Sequence, residues 1–138
     1  MVEVLENLSI IYRPDLKILF CRFIQPVTSS QLRRSYDFAL GIAQQEQARF
    51  WLFDLRRRGP TQAEDENWLL NQFFPRAQAL SKHYQYFAYL VTPTHYVYLR
   101  DNIGFEKLNN YSQILKINVF DSEEKAVQWL TNKQTQNT

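Results

Sequence analysis

Two short apolar runs constrain the fold most, because they lack the polar alternation of a half-exposed strand. Trp51, Leu52 and Phe53 form the first run, within a strand predicted from Phe50 to Leu55, and Tyr86 to Val91 form the second. Such runs are typical of strands buried on both faces, as in a parallel sheet that is covered by helices. The sequence therefore predicts an α/β fold.

The segment before the first run has the pattern of an amphipathic helix that joins two strands. Thr28 and Gln31 fit a capping box, and apolar residues then recur at helical spacing, namely Leu32, Tyr36, Ala39, Leu40 and Ala43. Further upstream, Leu8 to Arg13 and Leu16 to Ile24 are predicted to form a hairpin around a type I turn centred on Pro14 and Asp15.

The segment between the two runs is predicted to contain a second helix. Thr61 and Glu64 fit a capping box at its start, and the acidic residues that follow suit the N-terminal end of a helix dipole. Pro75 removes a backbone donor and is expected to kink or divide this helix near Phe74.

The C-terminal third is predicted to add a helix, a strand and a last helix. Thr94 to Ser112 has features of both helix and strand, and we prefer the helix because the next strand requires a crossover. Ile114 to Phe120 alternates like a strand near a sheet edge, and Asp121 to Glu124 is the capping signature of the last helix. The predicted order is ββαβαβαβα, in a mostly parallel sheet with an antiparallel N-terminal hairpin strand.

Length and composition limit the classes of protein that this chain can represent. Its 138 residues suit a single domain, for which we predict an ordered core from about residue 8 to 132 and a polar, fraying tail from 133 to 138. A net charge of +2 disfavours a general nucleic-acid binder. The N-terminus lacks the pattern of a secretory signal, and no apolar run reaches membrane-spanning length. A cytoplasmic location is the resulting expectation, and no cofactor is predicted.

A charged loop follows the first buried strand and is the candidate binding site. The run Arg56-Arg57-Arg58-Gly59-Pro60-Thr61 lies between the strand-end Asp54 and a predicted helix N-terminus. Guanidinium groups and free helix amides suit a phosphate or a carboxylate, which makes a ligand-binding or partner-binding set of Asp54, Arg56, Arg57, Arg58 and Thr61. The alternative, which we favour for each residue alone, is structural: the arginines pair with the acidic residues 64–66 or with solvent, Thr61 caps the helix, and Asp54 accepts hydrogen bonds from loop amides.

No catalytic constellation is recognisable in the sequence. His83 and His95 have no metal-ligand spacing with Cys21, and each is expected at the surface or at a helix end. Cys21, in its strand setting, is expected to be a small core residue and not a nucleophile. The many aromatic residues around the second buried strand fit core packing better than the wall of a lipid cavity.

The predicted order, together with the C-terminal run VFDSEEKAVQWL from Val119 to Leu130, resembles the SpoIIAA-like bacterial proteins, which are described as STAS/SEC14-like domains. The resemblance implies successive parallel βα turns with an antiparallel first strand at one side. It also implies a non-enzymatic partner or sensor role. Regulatory members of that family carry a phosphorylatable Ser or Thr directly after the strand aspartate that matches Asp54. Leu55 stands there in this chain, so the phosphoswitch is not carried over.

The sequence thus predicts a non-enzymatic regulatory or binding module that meets a protein partner or a small anionic ligand at the loop from Arg56 to Thr61. The alternative hypothesis is a small carrier of an apolar ligand or lipid, or a peripheral membrane-binding protein, because aromatic residues make up 15% of the chain. The sequence leaves a homodimer open.

Overall fold

A six-stranded mixed sheet organises the chain. The computed structural model describes residues 2–4, 7–102 and 115–136. Its strands lie side by side in sequence order: β1 (Val2–Val4), β2 (Leu8–Arg13), β3 (Ile18–Phe23), β4 (Phe50–Asp54), β5 (Gln85–Leu90) and β6 (Leu115–Phe120). β2 is antiparallel to both β1 and β3, whereas β3 to β6 are parallel to one another. The predicted α/β class is confirmed, and β1 is an additional strand that the predicted order lacks.

The helices cover both faces of this sheet. Their bounds are α1 (Ser29–Glu46), α2 (Ala63–Trp68), a π-helical segment (Leu69–Phe73), α3 (Phe74–Gln78), α4 (Pro93–Asn102) and α5 (Glu123–Gln136). Residues from α1 to α4 pack on one face, in a core that includes Trp51 and Phe53. Ala126 and Leu130 of α5 pack on the other face with Leu52. Burial on both faces explains why β4 shows no polar alternation.

The hairpin and the first capping box are confirmed. Leu16 N donates to the Arg13 carbonyl at 3.1 Å across the turn that contains Pro14 and Asp15. At the start of α1 the Thr28 side chain accepts from the Gln31 amide, and the Gln31 side chain accepts from the Thr28 amide. Two unpaired helix amides are thereby satisfied locally, which is why the sequence signal is sufficient there.

The two later capping predictions need correction. Gln62, and not Thr61, immediately precedes α2, and no side chain caps that helix. The Thr61 hydroxyl instead donates to Glu66 Oε1 at 3.1 Å. At α5, which begins at Glu123, the Ser122 hydroxyl accepts from the Lys125 amide at 3.4 Å. Ser122 is the second residue of the predicted signature from Asp121 to Glu124, so the capping residue lies within that signature but not at its first position. A spacing pattern alone does not determine the residue at which a helix begins.

Pro75 divides its helix as predicted, through a π-helical segment. The Phe74 amide donates to the Leu69 carbonyl, five residues earlier, and Pro75 follows directly. Because proline has no amide hydrogen, a helix that continues past it must change its hydrogen-bond pattern. The change leaves Leu69 and Phe73 buried on the sheet.

The ends of the predicted C-terminal elements differ from the structure. The helix predicted from Thr94 to Ser112 is observed as α4, and residues 103–114 lie outside the described residues. β6 ends the sheet, as its edge-like alternation predicts. The polar tail predicted from residue 133 is helical to Gln136, and the Gln134 side chain donates to the Leu16 carbonyl at 2.7 Å.

The order of the strands restricts where a ligand can bind. In many α/β proteins the ligand lies where the strand order reverses, because the helices leave a crevice there. In this sheet β3 to β6 follow one another without reversal, and α1 to α4 pack on the same face. Among β3 to β6 the strand order therefore provides no crevice of this kind.

Candidate functional site

The three arginines that follow β4 lie in three different environments. The side chain of Arg56 is 44% exposed and lies beside Asp54, Arg57 is exposed, and Arg58 is only 7% exposed. Gly59 has a φ of +85°, a backbone conformation that favours glycine, and it follows Arg58 directly. The three arginines are consecutive in the sequence and form one charged run there, but the folded loop places each of them in a different environment.

Arg56 belongs to a charge cluster that joins β3, β4 and α5. It forms a bidentate pair with Asp54, with Nε to Oδ1 at 2.9 Å and Nη2 to Oδ2 at 2.8 Å. Arg22 donates to Asp54 Oδ2 at 3.1 Å and to both carboxylate oxygens of Glu123. Asp54 also accepts from the Arg56 amide, as the structural interpretation predicts. That interpretation also predicts that the arginines pair with residues 64–66 or with solvent. This is wrong for Arg56, whose partner is Asp54, and for Arg58, which is buried against Tyr36, whereas Arg57 is exposed to solvent as predicted.

The cluster keeps Asp54 ionised. Burial by itself would raise the pKa of Asp54, but the hydrogen bonds and charge of Arg56, with a further bond from Arg22, outweigh it and lower that pKa. The hydrogen bonds from Arg22 likewise lower the pKa of Glu123. Both carboxylates therefore already have cationic partners. The cluster links the ends of β3 and β4 to the start of α5, which is a structural role.

Arg58 differs because its partners are not acidic. Nη1 donates to the Tyr36 hydroxyl at 3.1 Å, and the guanidinium carbon lies 5.9 Å from the centre of the Phe23 ring. Nε is buried, and no residue that the structure describes forms a hydrogen bond with it. Among the residues that the structure describes, no carboxylate forms an ion pair with Arg58. A buried cation without a counter-ion is costly, so this arrangement calls for an explanation.

The hydroxyls beneath Arg58 do not supply the missing negative charge. Burial raises the pKa of Tyr36, although the Arg58 charge acts in the opposite direction. Burial also raises the pKa of Tyr89 well above its usual value, and the Tyr89 hydroxyl hydrogen-bonds that of Tyr36. Both phenols are neutral at physiological pH, and Arg58 therefore keeps an uncompensated charge with respect to them.

Arg58 lines two adjoining cavities between the loop from Arg56 to Thr61, the π-helical segment and α4. The cavity that reaches residues of the sheet, here called the inner cavity, is open to solvent and has a volume of about 260 Å³. Most of its walls are apolar: Leu55, Leu69, Leu70, Phe74, Val91, Leu99 and Val119, with Tyr36 and Tyr89. The outer cavity has a volume of about 540 Å³ and is more polar, with Arg56, Gly59, Pro60, Thr92, Thr94 and Tyr98 among its walls. Arg58, Thr61, Glu66 and His95 line both cavities.

The remaining ionisable groups of the cavities add little positive charge. Burial lowers the pKa of His95, and the nearby Arg58 lowers it further, so this imidazole is neutral at physiological pH. Glu66 accepts a hydrogen bond from Thr61 and lies in the walls of both cavities. Arg58 is thus the cation of this site that has no acidic partner within the described part of the chain.

The structure therefore brings together only part of the predicted site. Arg56, Arg58 and Thr61 line the outer cavity, whereas Asp54 and Arg57 do not line either one. Sequence reasoning missed the functional position of Tyr36, which has the spacing of an ordinary core residue. It also missed His95, which lies in the first turn of α4 as expected for a helix-end residue. No local signal could have placed either side chain beside Arg58.

The described residues show neither a reactive cysteine nor a metal site. Cys21 is fully buried, and its burial raises the pKa of the thiol, as expected for a core cysteine. No group of three or more His, Cys, Asp or Glu side chains in these ranges could hold a metal ion. None of the helices in the described ranges combines the length and apolar character that crossing a bilayer requires.

Comparisons with known proteins do not assign this site. No protein-family model matches the chain, and a search of curated proteins and a search of solved structures each yield no match.

Proposed function

We propose that this protein is a non-enzymatic binding module that holds a small acidic ligand in the cavities beside the loop from Arg56 to Thr61. The observation that carries the proposal is Arg58, which is 7% exposed and lines both cavities, and whose buried Nε has no hydrogen-bond partner among the described residues. A bound anion would supply the counter-charge that Tyr36 and Tyr89 do not supply.

A small ligand explains this geometry better than a protein surface does. An acidic side chain of a partner protein would also suit a guanidinium, but Arg58 is 7% exposed and lies in the walls of the two cavities. Arg57 is the exposed arginine of the loop, and it lines neither cavity. A ligand that enters the cavities reaches the unpaired cation directly, whereas a protein surface would first meet Arg57.

We extend the proposal to a SpoIIAA-like domain of the cytoplasm, without the family's phosphoswitch. The resemblance is supported by parallel strands that follow one another in sequence order, with β2 antiparallel beside them. Leu55, at the position of the regulatory hydroxyl, is buried, and its amide donates to the Leu90 carbonyl. The chain's single cysteine, Cys21, is free and buried, which is compatible with a reducing compartment.

The proposal is tested by titrating the ¹⁵N-labelled protein with sodium acetate and following the Arg58 Nε–H resonance by NMR. We expect that resonance to move in a saturable manner, together with backbone amides around Gly59. In Arg58→Gln the movements of these amides should disappear. Sodium chloride at matched ionic strength controls for screening of charges.

Arg57→Gln is the matched control, since it removes the neighbouring charge without changing a cavity wall. It should bind acetate like the original protein. Equal acetate responses in the original protein and in Arg58→Gln would refute the proposal, provided that both spectra show a folded chain. No saturable response in the original protein would refute it as well.

A further inference from the structure

We infer that the ligand is a monocarboxylate with a short apolar body, whose carboxylate meets Arg58 and whose body fills the inner cavity. This inference rests on the proposed function, because it assigns a chemical class to the ligand of the same site. Three observations carry it: the apolar walls of the inner cavity, the balance of charge around Arg58, and the volume of the inner cavity.

The inner cavity offers apolar contact directly beside the cation. Leu69 and Leu70 of the π-helical segment, Phe74 of α3 and Leu99 of α4 face it together with residues of the sheet. A simple inorganic anion would make little apolar contact with these walls. A ligand that carries an apolar body next to its acidic group would gain from both parts of the site.

The charge around the site favours one negative charge over two. Arg56 is already paired with Asp54, and His95 is neutral because burial and Arg58 lower its pKa. Glu66 adds an acidic group to the walls of both cavities. A phosphate dianion would meet one unpaired guanidinium and a nearby carboxylate, whereas a carboxylate matches the single guanidinium and its planar fork geometry.

The volume limits the size of the apolar body. An apolar cavity of about 150 Å³ is enough to hold a benzene molecule, and the inner cavity is larger, at about 260 Å³. It lies near the lower end of the usual range for small-molecule sites. A chain of about five to eight carbons, or a single aromatic ring, fits this space, whereas a diacyl lipid is too large for it.

The experiment measures dissociation constants for acetate, butyrate, hexanoate and octanoate by isothermal titration calorimetry or NMR. We expect affinity to rise up to about fourfold for each added methylene and to stop rising once the inner cavity is filled. Hexanoate should bind at least tenfold more tightly than 1-hexanol and than hexyl phosphate. Arg58→Gln should abolish the advantage of hexanoate over 1-hexanol.

A wall variant tests the position of the apolar body. Leu99→Trp should fill part of the inner cavity and reduce the gain from acetate to hexanoate at least tenfold, without changing acetate affinity. Val97→Trp is the matched control, because Val97 is 43% exposed on the same helix and lines neither cavity. It should leave the chain-length series unchanged.

The outcomes separate this inference from the proposed function. If acetate binding depends on Arg58 but chain length has no effect, the ligand class is wrong and the proposed function stands. Tighter binding of hexyl phosphate than of hexanoate would overturn the assignment to a monocarboxylate. If 1-hexanol and hexanoate bind equally, and Arg58→Gln changes neither, then both proposals fail and the apolar-ligand carrier predicted as an alternative takes their place.

Discussion

Replacing Arg58 by methionine is expected to raise the free energy of unfolding of the ligand-free protein. Methionine keeps a long, flexible side chain at the position but removes the buried charge. The main-chain bonds of Arg58, from its amide to the Leu55 carbonyl and from the Val27 amide to its carbonyl, do not depend on the side chain. The loop should therefore keep its backbone conformation in the variant.

The expected magnitude follows from the contacts that Arg58 makes and lacks. The variant loses the hydrogen bond to Tyr36, worth about 1.5–3 kcal/mol for a charged donor, and the contact with Phe23, worth about 0.5–1 kcal/mol. It removes the desolvation penalty of the cation, which includes that of its unpaired Nε–H and amounts to roughly several kcal/mol. The balance is a gain in stability of about 1–2 kcal/mol.

Urea unfolding followed by tryptophan fluorescence measures this difference without added ligand. Arg57→Met is the matched control and should change the free energy of unfolding by less than about 0.5 kcal/mol, as exposed substitutions usually do. A loss of more than about 1 kcal/mol in Arg58→Met, relative to that control, would refute the reasoning. It would mean that the Arg58 charge is compensated in the free protein, and that its role is structural.

Two further predictions concern the loop and its surroundings. Asp54→Asn should lower the free energy of unfolding at pH 7 by about 1–2 kcal/mol, because Arg56 and Arg22 lose their charged partner. The effect is modest because the two arginines are partly exposed to solvent, although Asp54 itself is buried. Since the pKa of Asp54 is lowered in the fold, its contribution is present above pH about 4 and is lost as the pH falls through that lowered pKa. Urea unfolding from pH 2 to 7 should accordingly show a weaker pH dependence in the variant, and an unchanged dependence would contradict this account. Gly59→Ala should lower the melting temperature, because a φ of +85° costs an L-residue about 1–2 kcal/mol while the new Cβ makes only ordinary contact with Pro26. Gly41→Ala inside α1 should raise the melting temperature, because alanine stabilises a helix by about 0.5–1 kcal/mol relative to glycine. A Cβ at Gly41 would have no described atom within 4 Å apart from its chain neighbours and the backbone of its own helix. Thermal unfolding that showed the same sign for both glycines would refute this comparison.

The stabilisation expected for Arg58→Met is compatible with a binding role of Arg58. Residues that bind a ligand are often less favourable for the empty fold than an apolar replacement would be. A ligand that binds only the folded protein restores stability in proportion to the logarithm of its concentration relative to the dissociation constant. Saturating hexanoate should therefore stabilise the original protein but not Arg58→Met, which links the stability and binding measurements.

Local patterns of the sequence determined the class of the fold and many of its elements. Apolar runs without alternation predicted strands covered on both faces, and the capping box of Thr28 and Gln31 predicted the start of α1. Pro75 predicted the division of its helix. These signals are readable because each depends on residues a few positions apart, whose burial or hydrogen bonding follows the period of one helix or strand.

Tertiary structure alone decided which of the three adjacent arginines lines both cavities without an acidic partner among the described residues. Arg56 is held by Asp54, close to Arg22 of β3 and Glu123 of α5, whereas Arg58 meets Tyr36 of α1 and is enclosed by walls from α4 and the π-helical segment. A loop has no periodicity that assigns its side chains to a face. The environment of each arginine therefore depends on segments that lie far away in the sequence and come together only when the sheet and its helices pack.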